Sequence, residues 1–194
     1  LRLGQAADRP TQRFYSIRAR VEETPDRGAE AIIPVHVTQP VLYDNGPFIT
    51  HPGEGAEGTD ASQVPRIGGY DDIRVGVNCD SRFDYRVADD FTVADPGGWR
   101  VDTVDLFLYE RTAIKDPAQI SSVTLRIWDG PPGEPDSAVV FGDTATNRIQ
   151  NAVWTNAYRV ESDRALETPV NPLHRVTLDV GQLVLPPGKY YLDW

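Results

Sequence analysis

The chain has 194 residues, with 19 Lys and Arg against 29 Asp and Glu, giving a formal net charge of −10 and a pI near 4.7. That balance disfavours nucleic-acid backbones and anionic membrane surfaces as partners, because both repel it. No apolar run reaches the roughly 20 residues a membrane-spanning helix needs, and a hydrophobic fraction of 40% fits one globular domain with or without an arm.

Sixteen Gly and sixteen Pro punctuate the chain at short intervals, which favours strands over helices. In chain order, Tyr15–Val21 alternates apolar and polar residues, as a half-buried strand does. Ile33-Pro34-Val35-His36-Val37 alternates too, with Pro34 marking an edge strand. Residues 1–40 therefore read as an N-terminal arm with one or two strands. Residues 45–72 read as a long, flexible, Gly-rich polar loop with little strand signal. Val87–Val93 follows as a strand, then Val101–Tyr109, Ser122–Trp128, Ala138–Phe141, Tyr158–Val160, Arg175–Val180 and Lys189–Trp194. Lys115–Ser121 and Glu161–Leu166 offer at most a turn or two of helix. The expected class is all-β, a jelly-roll-like antiparallel β-sandwich over residues 41–194.

Few motifs carry chemistry. Gly53-x-Gly55-x-x-Gly58 matches a dinucleotide-binding pattern, but Pro52 precedes it and Thr59–Pro65 leaves no room for the helix that holds a pyrophosphate. His36, His51 and His174 lack zinc-site spacing and read as surface or loop histidines. Cys79, the single cysteine, excludes an intrachain disulfide and reads as a buried structural thiol. No nucleophile elbow is present, and nothing selects a glycosidase pair among the acids.

Two binding hypotheses remain. Alternation in Val87-Ala88-Asp89-Asp90-Phe91-Thr92-Val93 turns Asp89 inward beside Phe91. Such a carboxylate either accepts hydrogen bonds at a strand corner or binds a hard cation. Asp89, Asp90 and Asp129 are the candidate calcium ligands, with Asp44 and Asp193 as further acids near turns; a structural role is the reading preferred. Trp99, Trp128 and Trp154 are the candidates for stacking on sugar rings, although packing accounts for most aromatics.

Six segments, taken in order, bring a family into view: Val41–Pro47, Ala88–Phe91, Ile127–Gly133, Phe141–Arg148, Tyr158–Val160 and Leu185–Trp194. The set resembles an uncharacterised domain of secreted bacterial proteins, often found with surface-sorting tails of the PEP-CTERM type. The resemblance covers roughly residues 41–194 and implies a jelly-roll-like sandwich exported to the cell surface or matrix. It supplies no catalytic residues. Relatives of this kind continue past the segment matching Tyr190–Trp194, so the sandwich is expected to be truncated there. The missing methionine likewise suggests a processed or trimmed chain.

The expected function is a non-catalytic, extracellular structural or adhesive subunit that self-associates or joins neighbouring surface subunits by strand addition. The alternative is a carbohydrate-binding module of a secreted hydrolase that takes polysaccharide, with calcium as its only candidate cofactor. No enzymatic activity, nucleic-acid partner or membrane insertion is expected.

Overall fold

A computed structural model describes residues 15–19, 40–63, 76–112, 114–161 and 165–194. They contain ten strands: β1 (Tyr15–Ala19), β2 (Val41–Asp44), β3 (Asp60–Gln63), β4 (Ala88–Val93), β5 (Trp99–Tyr109), β6 (Leu125–Trp128), β7 (Val139–Asp143), β8 (Ile149–Val160), β9 (Pro172–Leu185) and β10 (Gly188–Asp193). One sheet has six strands in the order β2-β1-β5-β9-β8-β3; the other has four, β4-β10-β6-β7. The all-β sandwich expected from the sequence is the observed architecture.

Period-two patterning builds the interior. Val104 and Leu106 of β5 pair with Leu178 and Val176 of β9, and all four are fully buried. They share one core with Leu125 and Ile127 of β6 and Leu192 of β10. Each such side chain contributes about 1.5–3 kcal/mol by leaving water. Phe91 of β4 links the two sheets, stacking on Trp99 of β5 at 6.0 Å and on Tyr190 at 5.8 Å. Only Pro186 and Pro187 separate β9 from β10, and the Tyr190 hydroxyl donates to the Pro186 carbonyl at 3.0 Å, which pins that crossing.

Several expectations need correcting. Of residues 1–40, the described stretch β1 lies inside the six-stranded sheet between β2 and β5, with Ile17 in the core. It is therefore integral to the sheet and not a separate arm; Ile33–Val37 falls outside the described residues. Lys115–Ser121 forms no helix, and most of Glu161–Leu166 is likewise outside. β8 begins at Ile149, nine residues before the expected Tyr158, and β9 spans fourteen residues. β9 is extended through a bulge at Gly181 and Gln182, whose φ values of 59° and 62° shift the register opposite Val101–Thr103. His174, expected on the surface, is fully buried on β9 between Leu108 and Trp154, its Nε2 3.0 Å from the Lys115 carbonyl.

The expected long loop contains β3, which pairs in parallel with Ala157–Val160. Ala56, Ala61, Tyr158 and Val160 make a second, smaller core there. The Gly-rich segment before β3 is cross-braced. Gly53 N donates to Asp60 Oδ1 at 2.8 Å, Gly55 N to the Thr59 carbonyl at 2.8 Å, and Gly58 N to the Gly55 carbonyl at 3.1 Å. Its one helical element is the three-residue 3₁₀ turn Ala56–Gly58. The Gly53, Gly55 and Gly58 amides of the pattern are thus committed within the turn and not offered to a phosphate.

Candidate functional site: the outer face of the four-stranded sheet

Alternation that sends Phe91, Leu192 and Ile127 inward sends their neighbours outward. Tyr191 of β10 lies opposite Asp90 of β4 on one side and opposite Trp128 of β6 on the other, and Trp128 lies opposite Val139 of β7. The result is a row, Asp90–Tyr191–Trp128–Val139, running across the outer face. Adjacent strands sit about 4.8 Å apart, so the two aromatic rings are immediate neighbours. Lys189 flanks the row, its Nζ 3.1 Å from Asp90 and 5.2 Å from the Tyr191 ring centre. Asp90 first, and Tyr191 second, raise the Lys189 ammonium above its ordinary pKa.

Beneath this row sits Asp193, 2% exposed although on the outward side. It is held by Arg86 Nε and by Arg126, whose Nη2 reaches Oδ2 at 2.6 Å and whose Nε does so at 3.0 Å. Trp128 Nε1 donates to the same Oδ2 at 3.1 Å. The carboxylate therefore fixes the indole's orientation while the Arg126 guanidinium lies 4.8 Å from the Trp128 ring centre. Arg86 also donates to Thr124 Oγ1 at 3.0 Å, anchoring the segment that precedes β4.

That segment carries aromatics that the sequence reading missed. The 3₁₀ turn Ser81–Phe83 is capped by Asp80, which accepts from Arg82 N, and ends at Asp84 with a left-handed φ of 53°. Phe83 and Tyr85 project from it, 62% and 52% exposed, stacked at 5.6 Å. Rings interleaved with charges in Arg82-Phe83-Asp84-Tyr85-Arg86 were the available signal. Cys79 nearby is half-buried, and burial pushes its thiol pKa up.

β7 closes the sheet on this side, pairing with β6 alone among the described strands, with Val139 and Val140 40% and 44% exposed. Its end is shaped by Asp143. Oδ1 accepts from Ala145 N at 2.7 Å and from Thr146 N at 2.6 Å, and Oδ2 from Thr146 Oγ1 at 2.8 Å. These bonds, the Thr146 amide foremost, lower its pKa to about 2. The folded value lies below the unfolded one, near 3.9. Asp143 thus contributes stability that is complete above the unfolded pKa and lost as pH falls through about 2. An NMR titration of the Asp143 carboxyl is expected to give a midpoint near that value; a midpoint in the ordinary carboxylate range would contradict the turn geometry.

The candidate ligands are scattered. Asp89 accepts from Asn45 Nδ2 at 2.8 Å on the inward side of β4, while Asp90 points outward to Lys189. Asp129 closes the β6–β7 hairpin by accepting from Ala138 N at 2.7 Å, and Asp44 accepts from Gly46 N at 3.0 Å. Among the described residues no three His, Cys, Asp or Glu side chains are grouped to hold a metal. Of the tryptophans, Trp99 packs on Phe91 between the sheets. Trp154 lies under Lys115, 4.8 Å away, with Nε1 donating to the Ala157 carbonyl at 3.2 Å. Trp128 is the one of the three on the outer row, where its aromatic neighbour is Tyr191.

Compared with known proteins, the chain matches no family model, no curated protein and no solved structure.

Proposed function

We propose that the protein is a non-catalytic structural or adhesive β-sandwich of a bacterial cell surface or matrix, acting through the outer face and β7 edge of its four-stranded sheet. One observation carries this reading. The row Asp90–Tyr191–Trp128–Val139 leads to an edge strand whose Val139 and Val140 are exposed. An edge of that kind presents backbone donors and acceptors with apolar side chains beside them, the arrangement on which a neighbour's strand can add. The face's acids favour recognition over chemistry, since Asp193 is held between two arginines and Asp90 pairs with Lys189. The surface setting rests on the resemblance of residues 41–194 to domains of exported bacterial proteins.

A second reading, a polysaccharide-binding module, is favoured by the Tyr191–Trp128 pair, because adjoining rings of fixed orientation suit the apolar faces of sugar units. Two variants separate the readings. Val140→Lys places a charge on the edge and is expected to dissolve oligomers seen by light scattering, leaving the fold intact. Trp128→Ala is expected to abolish fluorescence shifts with soluble glycans. A monomer at all concentrations that ignores every glycan would reject both readings.

A further inference from the structure

β2 ends at Asp44, on the edge of the six-stranded sheet, and the next residue reaches across to the four-stranded one. Asn45 Nδ2 donates to Asp89 Oδ2 of β4 at 2.8 Å, while Asn45 Oδ1 is buried without a hydrogen-bond partner. The carboxamide is thus held at its nitrogen end, and that bond ties one sheet to the other. Gly46 follows, and its N–H donates to Asp44 Oδ1 at 3.0 Å. Of the six asparagines in the sequence, Asn45 is the one followed by glycine.

That order matters chemically. The backbone nitrogen after an asparagine can close a five-membered ring on the side-chain Cγ, and a Cβ on the following residue hinders the approach. Gly46 has no Cβ, and no surrounding atom lies within 4 Å of where one would stand. A peptide N–H lies in the peptide plane, whereas the electron pair that attacks is perpendicular to it. Asp44 can therefore take the proton in the plane while Cγ is approached from above or below it.

We infer that Asn45 is a self-modification site, with the Gly46 nitrogen as nucleophile and Asp44 as its general base. The Gly46 nitrogen bonds to Asn45 Cγ, the Cγ–Nδ2 bond breaks, and ammonia leaves with the proton that Gly46 gave up. Water then opens the resulting succinimide at either carbonyl, giving aspartate or isoaspartate at position 45. Either product replaces the donor facing Asp89 with an acceptor, and isoaspartate also lengthens the backbone by a methylene. The tie between β2 and β4 is lost, and a four-residue edge strand opens more readily without it.

Prolonged incubation of the full chain in heavy-oxygen water at neutral pH, followed by peptide mass spectrometry, tests this inference. Asn45 is expected to gain the mass of an amide-to-acid exchange with heavy oxygen incorporated, before any of the other five asparagines changes. The product is expected to be a mixture of aspartate and isoaspartate. Asp44→Asn keeps an acceptor for the Gly46 amide but is a far weaker base, and is expected to slow the reaction by roughly tenfold or more. Gly46→Ala, its fold checked by circular dichroism, is expected to slow it as well. Asn45→Asp imposes one of the two products and is expected to speed hydrogen exchange in Val41–Asp44. An unchanged Asn45, a faster change at another asparagine, aspartate with no isoaspartate, or an unslowed Asp44→Asn chain would each overturn the assignment. Unaltered hydrogen exchange in Asn45→Asp would overturn the loosening of β2.

Discussion

Replacing Gly142 with alanine is expected to destabilise the protein by about 3 kcal/mol or more, because it combines a disfavoured backbone conformation with a collision. Gly142 has φ +84°, and a Cβ there would lie 2.0 Å from the Leu125 carbonyl oxygen and 3.0 Å from its carbon. Those atoms belong to the backbone of β6, paired with β7 through Arg126 and Gly142, so relief requires parting the two strands. Gly53, with φ +70° and nothing within 4 Å, is the control. There alanine is expected to cost only the left-handed penalty, about 1–2 kcal/mol. In a domain of this size a 3 kcal/mol loss lowers the melting temperature by roughly 6–12 °C. Equal shifts for the two variants would show that strand contact at Gly142 is not the limiting factor.

Truncating Asp193 to alanine should cost a similar amount, about 3–5 kcal/mol, for an electrostatic reason. Its carboxylate is 3% exposed and lies between guanidiniums whose side chains are 20% and 23% exposed. Removing it leaves two close cations partly withdrawn from water, and Trp128 loses the acceptor of its indole N–H. Partial access to solvent places the expected value towards the lower end of that range. Arg126→Met should cost less, because Arg86 continues to satisfy the carboxylate. Urea denaturation of the single and double variants gives the coupling directly. A double variant equal to the sum of the singles would mean that the pair acts independently.

Strands with one buried face were legible from sequence. In Val123–Ile127 and Val176–Val180 each odd or even position has a single environment, and period-two alternation records it. The first half of β8 was hidden because register shifts at Ile149–Asn151 and Trp154–Tyr158 break the alternation. β3 was hidden because Asp60-Ala61-Ser62-Gln63 carries no large apolar side chain; its burial comes from Tyr158 and Arg159, far along the chain. The inward turn of Asp89 was legible from its own strand. The role of Asp193 was not, since its arginines lie 67 and 107 positions away. Composition also cannot tell which tryptophan faces outward: Trp99 and Trp128 both lie in strands, and only the partner sheet decides.

The parallel pairing of β3 with β8 has a kinetic consequence. Ser62 meets Arg159 across 97 residues, whereas β6 meets β7 and β8 meets β9 through neighbouring segments. Closing so long a loop costs chain entropy before any contact repays it. β4 spans a similar separation to β10 but buries Phe91 and Val93, whereas β3 has four residues and no large apolar side chain. This edge therefore joins late and is the first to open. Ser62 and Arg159 belong to that last closure.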